Sequence, residues 1–257
     1  MLRHLPRRPR HLHGGGFQLR IAAATAAPSH ALPAPGLHAP PDARGLAVLW
    51  ACAVLIVYAL DIDWLLSHAL FAWQGYRWVL RDHAFTETLL HHGGHNLSIA
   101  AWVAVLLSWF TAQARRLPLR RPLAYLLLSV LISTLLVSWI KSFSNMDCPW
   151  DIDGLGGTRP YLMLWDTRPA WLPNGRCFPA GHASGGYAWV ALYHYFLMVR
   201  PEWRRRGLAI GLGAGMVFGL GQQLRGAHFF SHDLWTLALC WGVATLLYLR
   251  FTHKRAD

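Results

Sequence analysis

Arg225-Gly226-Ala227-His228-Phe229-Phe230-Ser231-His232-Asp233 divides two apolar blocks, Gly207 to Leu224 before it and Leu234 to Leu249 after it. Each block approaches the roughly 20 residues a helix needs to cross about 30 Å of hydrocarbon, so the stretch between them reads as a turn at a membrane surface. Four more blocks precede these two, at about Leu46 to Leu60, Leu97 to Ala112, Pro122 to Ile140 and Ser184 to Val199. A chain of 257 residues that is 54% hydrophobic and only 14% charged is too apolar for an ordinary soluble domain. The expected fold is therefore all-α, a polytopic membrane bundle of six transmembrane helices. Trp64, Trp109 and Trp235 suit the ends of short spans, because an indole ring settles at the headgroup level.

The basic residues set the expected orientation. Arg3, Arg7, Arg8, Arg10, Arg20 and Arg44 precede the first block, and Arg115, Arg116, Arg120 and Arg121 join the second to the third. Arg200, Arg204, Arg205 and Arg206 join the fourth to the fifth, and Arg250, Lys254 and Arg255 follow the sixth. All of these fall on one side of a six-span chain, which the positive-inside rule makes cytoplasmic together with both termini. A plasma membrane, the inner membrane of a bacterium, is the expected location. The net charge of +12 needs no nucleic acid, since arginines spread over short juxtamembrane loops serve topology and anionic headgroups.

Residues 1–45 are rich in Arg, His, Pro and Gly and read as a disordered cytoplasmic arm, leaving 46–257 as the membrane domain. No continuous apolar core precedes Pro28, which argues against a cleaved signal peptide, and Ile21 to Ala27 is the weak candidate. Two long connections lie on the outer side. Asp61 to Asn96 contains Trp64, Leu65, Leu66, Ala69, Leu70 and Trp73 at helical spacing, suited to lying along the membrane surface. Lys141 to Ala183 is full of Gly, Pro and Asp, and long loops with convergent polar groups tend to carry function.

In this topology His182, just ahead of the fourth block, and His228, between the fifth and sixth, reach the same outer face. Two facing histidines suffice for phosphoryl transfer: one attacks phosphorus, the other protonates the departing oxygen, and nearby cations and backbone N–H groups hold the charge. Gly181 lets backbone come close to a phosphate. Lys141 and Arg225 are the stronger candidates for neutralising it, with Arg159 and Arg176 behind them.

The order and spacing of these residues resemble the type-2 phosphatidic acid phosphatase superfamily over roughly Pro122 to Leu249. Its first motif is Lys, six residues, Arg-Pro; here Lys141 leads to Cys148-Pro149, so Arg becomes Cys. Its second, Pro-Ser-Gly-His, reads Pro179-Ala180-Gly181-His182. Its third is Ser-Arg, five residues, His, three residues, Asp; aligned on His228, Gln222 takes the Arg position and His232 the Asp position, with Asp233 one residue late. The resemblance implies a metal-independent phosphatase without cofactor, with His228 as the nucleophile that forms a phosphohistidine and His182 as the acid. Two residues compete to orient His228. His232 shares its face in a helical i to i+4 relation, and Asp233, slightly favoured, offers the better partner for an imidazolium. Ser231 or Asp233 could equally be the cap of the sixth helix.

Cys52 and Cys240 fall within apolar blocks, where a thiol behaves as a small apolar group. Cys148 and Cys177 share the outer loop and, in an oxidising compartment, could form a disulfide tying the first two motifs together, with two free thiols as the alternative. His91, His92 and His95 look like metal ligands, but only Glu87 joins them at ligand spacing and a wet helix end explains them as well, so no metal is expected. An active site at the membrane boundary beside Trp150, Tyr161, Trp165 and Trp171 suits a lipid phosphate or diphosphate as substrate partner. A lipid phosphotransferase of the same fold, or a degenerate lipid-binding protein, are the alternative readings.

Overall fold

The computed structural model describes residues 43–253, so the basic arm lies almost wholly outside the described residues. Among them the protein is helical: α1 (Ala43–Ala59), α2 (Ile62–Trp73), α3 (Gly94–Ala114), α4 (Arg120–Phe143), α5 (Gly181–Tyr187), α6 (Ala191–Val199), α7 (Arg204–Leu224) and α8 (Phe230–His253). A π-helical segment, Phe85–Gly93, runs into α3, and a 3-10 turn, Ala188–Val190, joins α5 to α6.

Four of these are long and apolar enough to cross a membrane: Phe85–Ala114, Arg120–Phe143, Pro201–Leu224 and Phe230–Thr252. The count expected from the sequence was six. The other two expected spans are helical but short of the requirement, each for a local reason. Helix α1 has 17 residues, about 25 Å of rise, and stops where Asp61 takes a left-handed conformation (φ 47°). Beyond it the chain bends by 60° into α2, and only the bent pair together is apolar and long enough. The fourth block is divided between α5 and α6 by its 3-10 turn, just after Gly185 and Gly186. At the other extreme, the second span begins at Phe85, within the stretch expected to lie on the surface.

Packing explains why α5 and α6 stay short. Gly207, Gly211, Gly215 and Gly219 recur every fourth residue along α7 and make a groove with no side chains. A Cβ on Gly211 would run into the Trp189–Val190 backbone, and one on Gly215 into the Tyr187 ring, so the α5–α6 segment lies almost backbone to backbone against α7. Its other side meets α4 and α8 in a core of Tyr125, Leu126, Val130, Ala183, Ala188, Ala191, Cys240 and Ala244. The buried Tyr125 hydroxyl finds a partner there by donating to the Ala244 carbonyl at 3.0 Å.

Helix α7 ends in a Schellman arrangement. Gly226 adopts φ +73°, its N–H meets the Gln223 carbonyl at 3.0 Å, and the Ala227 N–H meets the Gln222 carbonyl at 2.9 Å. That tight stop releases the chain at His228. Phe229 then drops into a second core with Phe71, Ile152 and Leu155, which binds α2 and the long loop between α4 and α5 to the turn. The next helix starts under an unusual cap: the buried Asp63 of α2 accepts the Ser231 N–H at 2.8 Å, one of the orphan donors of the first turn of α8.

Candidate active site

The C-terminal ends of α4 and α7 and the N-terminal ends of α5 and α8 meet at one end of the bundle. Lys141 comes from the last turn of α4, Gly181 and His182 from the start of α5, His228 from the turn after α7, and His232 and Asp233 from the first turn of α8. The residues named from sequence are thus separated by what holds them.

Lys141 packs against Gly181, its Nζ 3.5 Å from where a glycine Cβ would stand. It has no ion-pair or hydrogen-bond partner among the described residues, so its charge is uncommitted. His228 is buried, and its Nδ1 lies 3.3 Å from Nδ1 of the fully buried His232. Both rings also meet the backbone of Cys177. Burial, then the positive charge of Lys141, then His232 hold the His228 imidazole well below its ordinary pKa. It is therefore neutral near pH 7, as a nucleophile must be.

His182 donates from Nε2 to the Leu90 carbonyl at 3.1 Å, and its ring packs between His91, 4.6 Å away centroid to centroid, and Phe218, 5.2 Å away. Burial and the neighbouring His91 push its pKa down to about 4, against the opposing pull of the Leu90 carbonyl.

Asp233 points elsewhere. Its Oδ2 accepts from Gln223 Nε2 at 2.5 Å, and its carboxylate fills the space a side chain would need at Gly219. His232, and not Asp233, is the side chain hydrogen-bonded to His228. The cap of α8 is supplied by Asp63 rather than by Ser231 or Asp233 side chains, so both readings of this turn made from sequence omit the residue that closes it.

Of the other cations named from sequence, Arg225 and Arg159 are committed. Arg225 is buried, donates from Nε to the Arg81 carbonyl at 2.7 Å, forms an ion pair with Glu87, and reaches Gln222 Oε1 at 3.4 Å. Arg159 and Arg168 clamp the buried carboxylate of Asp147, at 2.5 Å and 2.7 Å, and so pin the loop between α4 and α5. Arg176 is exposed. Cys148 and Cys177 are joined as a disulfide with a Cα–Cα distance of 5.2 Å, so the residue at the first motif's Arg position is a crosslink beside the histidine pair. Of the aromatic residues expected to line the site, Tyr161 is packed with Trp64 and Phe229, whereas Trp165 and Trp171 are exposed.

Asp63, Leu90 and Gln223 are the residues that sequence reasoning missed, and Glu87, weighed there only as a metal ligand, also holds Arg225. A signal existed for Asp63, an acid inside a stretch of Trp, Leu and Ala, where an ionisable group needs a partner. None existed for the carbonyl of Leu90.

The family model that describes the PAP2 superfamily matches residues 122–256. No curated protein and no solved structure matches the chain. The matched residues hold Lys141, Gly181, His182 and His228 but not Asp63, Glu87 or Leu90.

Proposed function

Because the chain belongs to the PAP2 superfamily, and so to a group of phosphatases and related phosphoryl-transfer enzymes, we propose that it is an integral membrane phosphatase. Its substrate is a lipid phosphate or diphosphate, cleaved through a phosphohistidine on His228. The observation that carries this reading is the convergence of Lys141, His182 and the neutral, buried His228 at one end of the bundle.

With Nδ1 of His228 turned to His232, Nε2 is the nitrogen that attacks phosphorus. A P–N bond forms as the P–O bond to the lipid breaks, and His182 passes its proton to the departing alkoxide. Water then attacks the phosphohistidine, with His182 taking the proton back, to release inorganic phosphate. A bound phosphate dianion beside His182 favours its protonated form, which offsets the low proton affinity it has in the empty site. Lys141 is the cation left to hold the phosphoryl oxygens, with Gly181 allowing close approach of backbone N–H groups. Arg225, neutralised by Glu87, shapes the pocket instead.

In the six-span arrangement proposed here this chemistry lies on the outer face. Arg115 and Arg116 follow α3, Arg120 and Arg121 begin α4, and Arg204 to Arg206 begin α7, at the ends of the helices away from Lys141 and His228. That distribution supports cytoplasmic termini and an outer, periplasmic active site. The short α1 and the broken α5–α6 segment supply the two spans beyond the four long ones, their ends completed by interfacial Trp and Tyr.

The test is incubation of the purified chain with a panel of lipid phosphates, scoring free phosphate and phosphorylated acceptor lipid, with chelator and vanadate as controls. Phosphate release that survives chelator and stops with vanadate is the expected result. Undiminished release by His228→Ala, or phosphoryl recovered on a second lipid and none as free phosphate, would sink the hydrolase.

A further inference from the structure

The π-helical segment ahead of α3 gathers three ligand-type side chains that the phosphatase reading does not use. In an α-helix each residue turns by about 100°, so a side chain at i+4 faces residue i while i+5 points well away. The i to i+5 repeat of a π-helix closes that gap. Glu87, His91 and His92, at i, i+4 and i+5 of Phe85–Gly93, consequently share one face, with one potential ligand atom from each all within 4.8 Å of one another.

Two details distinguish this group from an ordinary surface ion pair. Glu87 Oε1 lies 3.1 Å from His92 Nε2 and 3.8 Å from His91 Nδ1, the second too long for a hydrogen bond. Ligand atoms about 2.0 to 2.2 Å from a tetrahedral ion stand about 3.4 Å apart, between those two values. His91 Nδ1 is also shut off from solvent and has no hydrogen-bond partner. A buried ring nitrogen without a partner is costly, and a metal ion satisfies it. The other Glu87 oxygen is held by Arg225, the kind of outer contact that fixes a carboxylate ligand in place.

We propose that Glu87, His91 and His92 bind a divalent transition metal ion, with Zn²⁺ as the type case. Two imidazoles and one carboxylate suit a borderline ion and disfavour Mg²⁺ or Ca²⁺, which ask for oxygen donors. Three protein ligands leave a fourth position for water or a phosphate oxygen. The ion lies at the rim of the phosphoryl site, because the His91 ring packs on His182.

Binding is read on the resting protein, so the proposal stands or falls independently of whether the chain hydrolyses lipid phosphates. The full-length chain is purified without a polyhistidine tag, stripped with chelator and titrated with Co²⁺ and then Zn²⁺. His4, His11, His13, His30 and His38 are replaced by Ala to silence the arm. One equivalent of Co²⁺ per chain is expected, with visible absorption typical of a four-coordinate site that Zn²⁺ abolishes. His92 is exposed, so His92→Ala keeps the fold while weakening binding by more than about 100-fold, beyond the 10- to 100-fold loss of an outer-shell partner. Glu87→Gln and His91→Ala weaken binding as well, but Glu87 also pairs the buried Arg225 and His91 packs on His182, so His92→Ala is the deciding variant. Absence of saturable binding, or affinity unchanged in His92→Ala, overturns the proposal.

Discussion

The region that matches the family, residues 122–256, and the described part that precedes it, 43–121, divide the work of one site between them. The later region supplies the groups proposed to face the substrate: Lys141, Gly181, His182 and His228. The earlier region supplies what keeps them in place. Asp63 caps the helix that follows His228, the Leu90 carbonyl orients His182, and Glu87 with the Arg81 carbonyl holds Arg225. Gln74 adds a hydrogen bond of 2.9 Å to the Leu224 carbonyl, at the end of α7. The lesson is that residues placed where a family motif has changed need not be replacements for the lost function. Arg225 stands near the missing arginine yet is neutralised, and Cys148 stands in another arginine's position yet is a crosslink.

If this division holds, substitutions in the two regions fail differently. The largest effect belongs to Lys141→Ala, which removes the uncommitted cation beside His228. A loss of about 100- to 1,000-fold in kcat is expected with little change in thermal unfolding, in line with removal of one transition-state donor. A loss below tenfold would return the phosphate to Arg225 and erase the contrast. Next comes the crosslink: Cys148→Ser with Cys177→Ser should lower stability by about 3 kcal/mol, from loop closure over a separation of 29 residues. Calorimetric or fluorescence melting in detergent measures it, and equal thiol labelling with and without reductant would deny the bond.

Asp63→Ala probes the earlier region. It leaves the Ser231 N–H buried without an acceptor, at a cost of about 1 to 3 kcal/mol, and loosens the turn that carries His228. Melting temperature and kcat should fall together, whereas a fall in kcat alone would place Asp63 in the chemistry. The smallest effect is on pH. Since burial and Lys141 both lower the His228 pKa, the acid limb of kcat/KM should lie below pH 6.5, the ordinary histidine value. Removing the Lys141 charge raises that pKa, so the residual activity of Lys141→Ala should show its acid limb displaced to higher pH. An unmoved limb would mean that Lys141 does not face His228.

Local pattern made much of this legible. The apolar blocks gave the helices, and the ends of those blocks located both histidines, because a span's boundary is written in its own composition. What escaped notice was long-range or geometric. Asp63 meets Ser231 across 168 residues, and no window of sequence contains both. The π-turn at Phe85–Gly93 begins the second span earlier than its hydropathy suggests. The glycines of α7 recur at every fourth position in the sequence, but which segment packs into their groove, and so why α5–α6 is a close-packed, broken segment rather than a full-length span, depends on the tertiary arrangement. Preference for Asp233 over His232 rested on carboxylate chemistry, whereas the first turn of α8 points Asp233 toward α7 and Gln223.

The central claim is a covalent intermediate on His228. Rapid alkaline quenching during turnover of a lipid phosphate, followed by mass spectrometry of the peptide spanning His228, tests it most directly. A phosphoryl group on His228 that disappears in His228→Ala together with phosphate release is the predicted result. Phosphate release that continues undiminished in His228→Ala, with no phosphoryl group on the wild-type peptide, would contradict it.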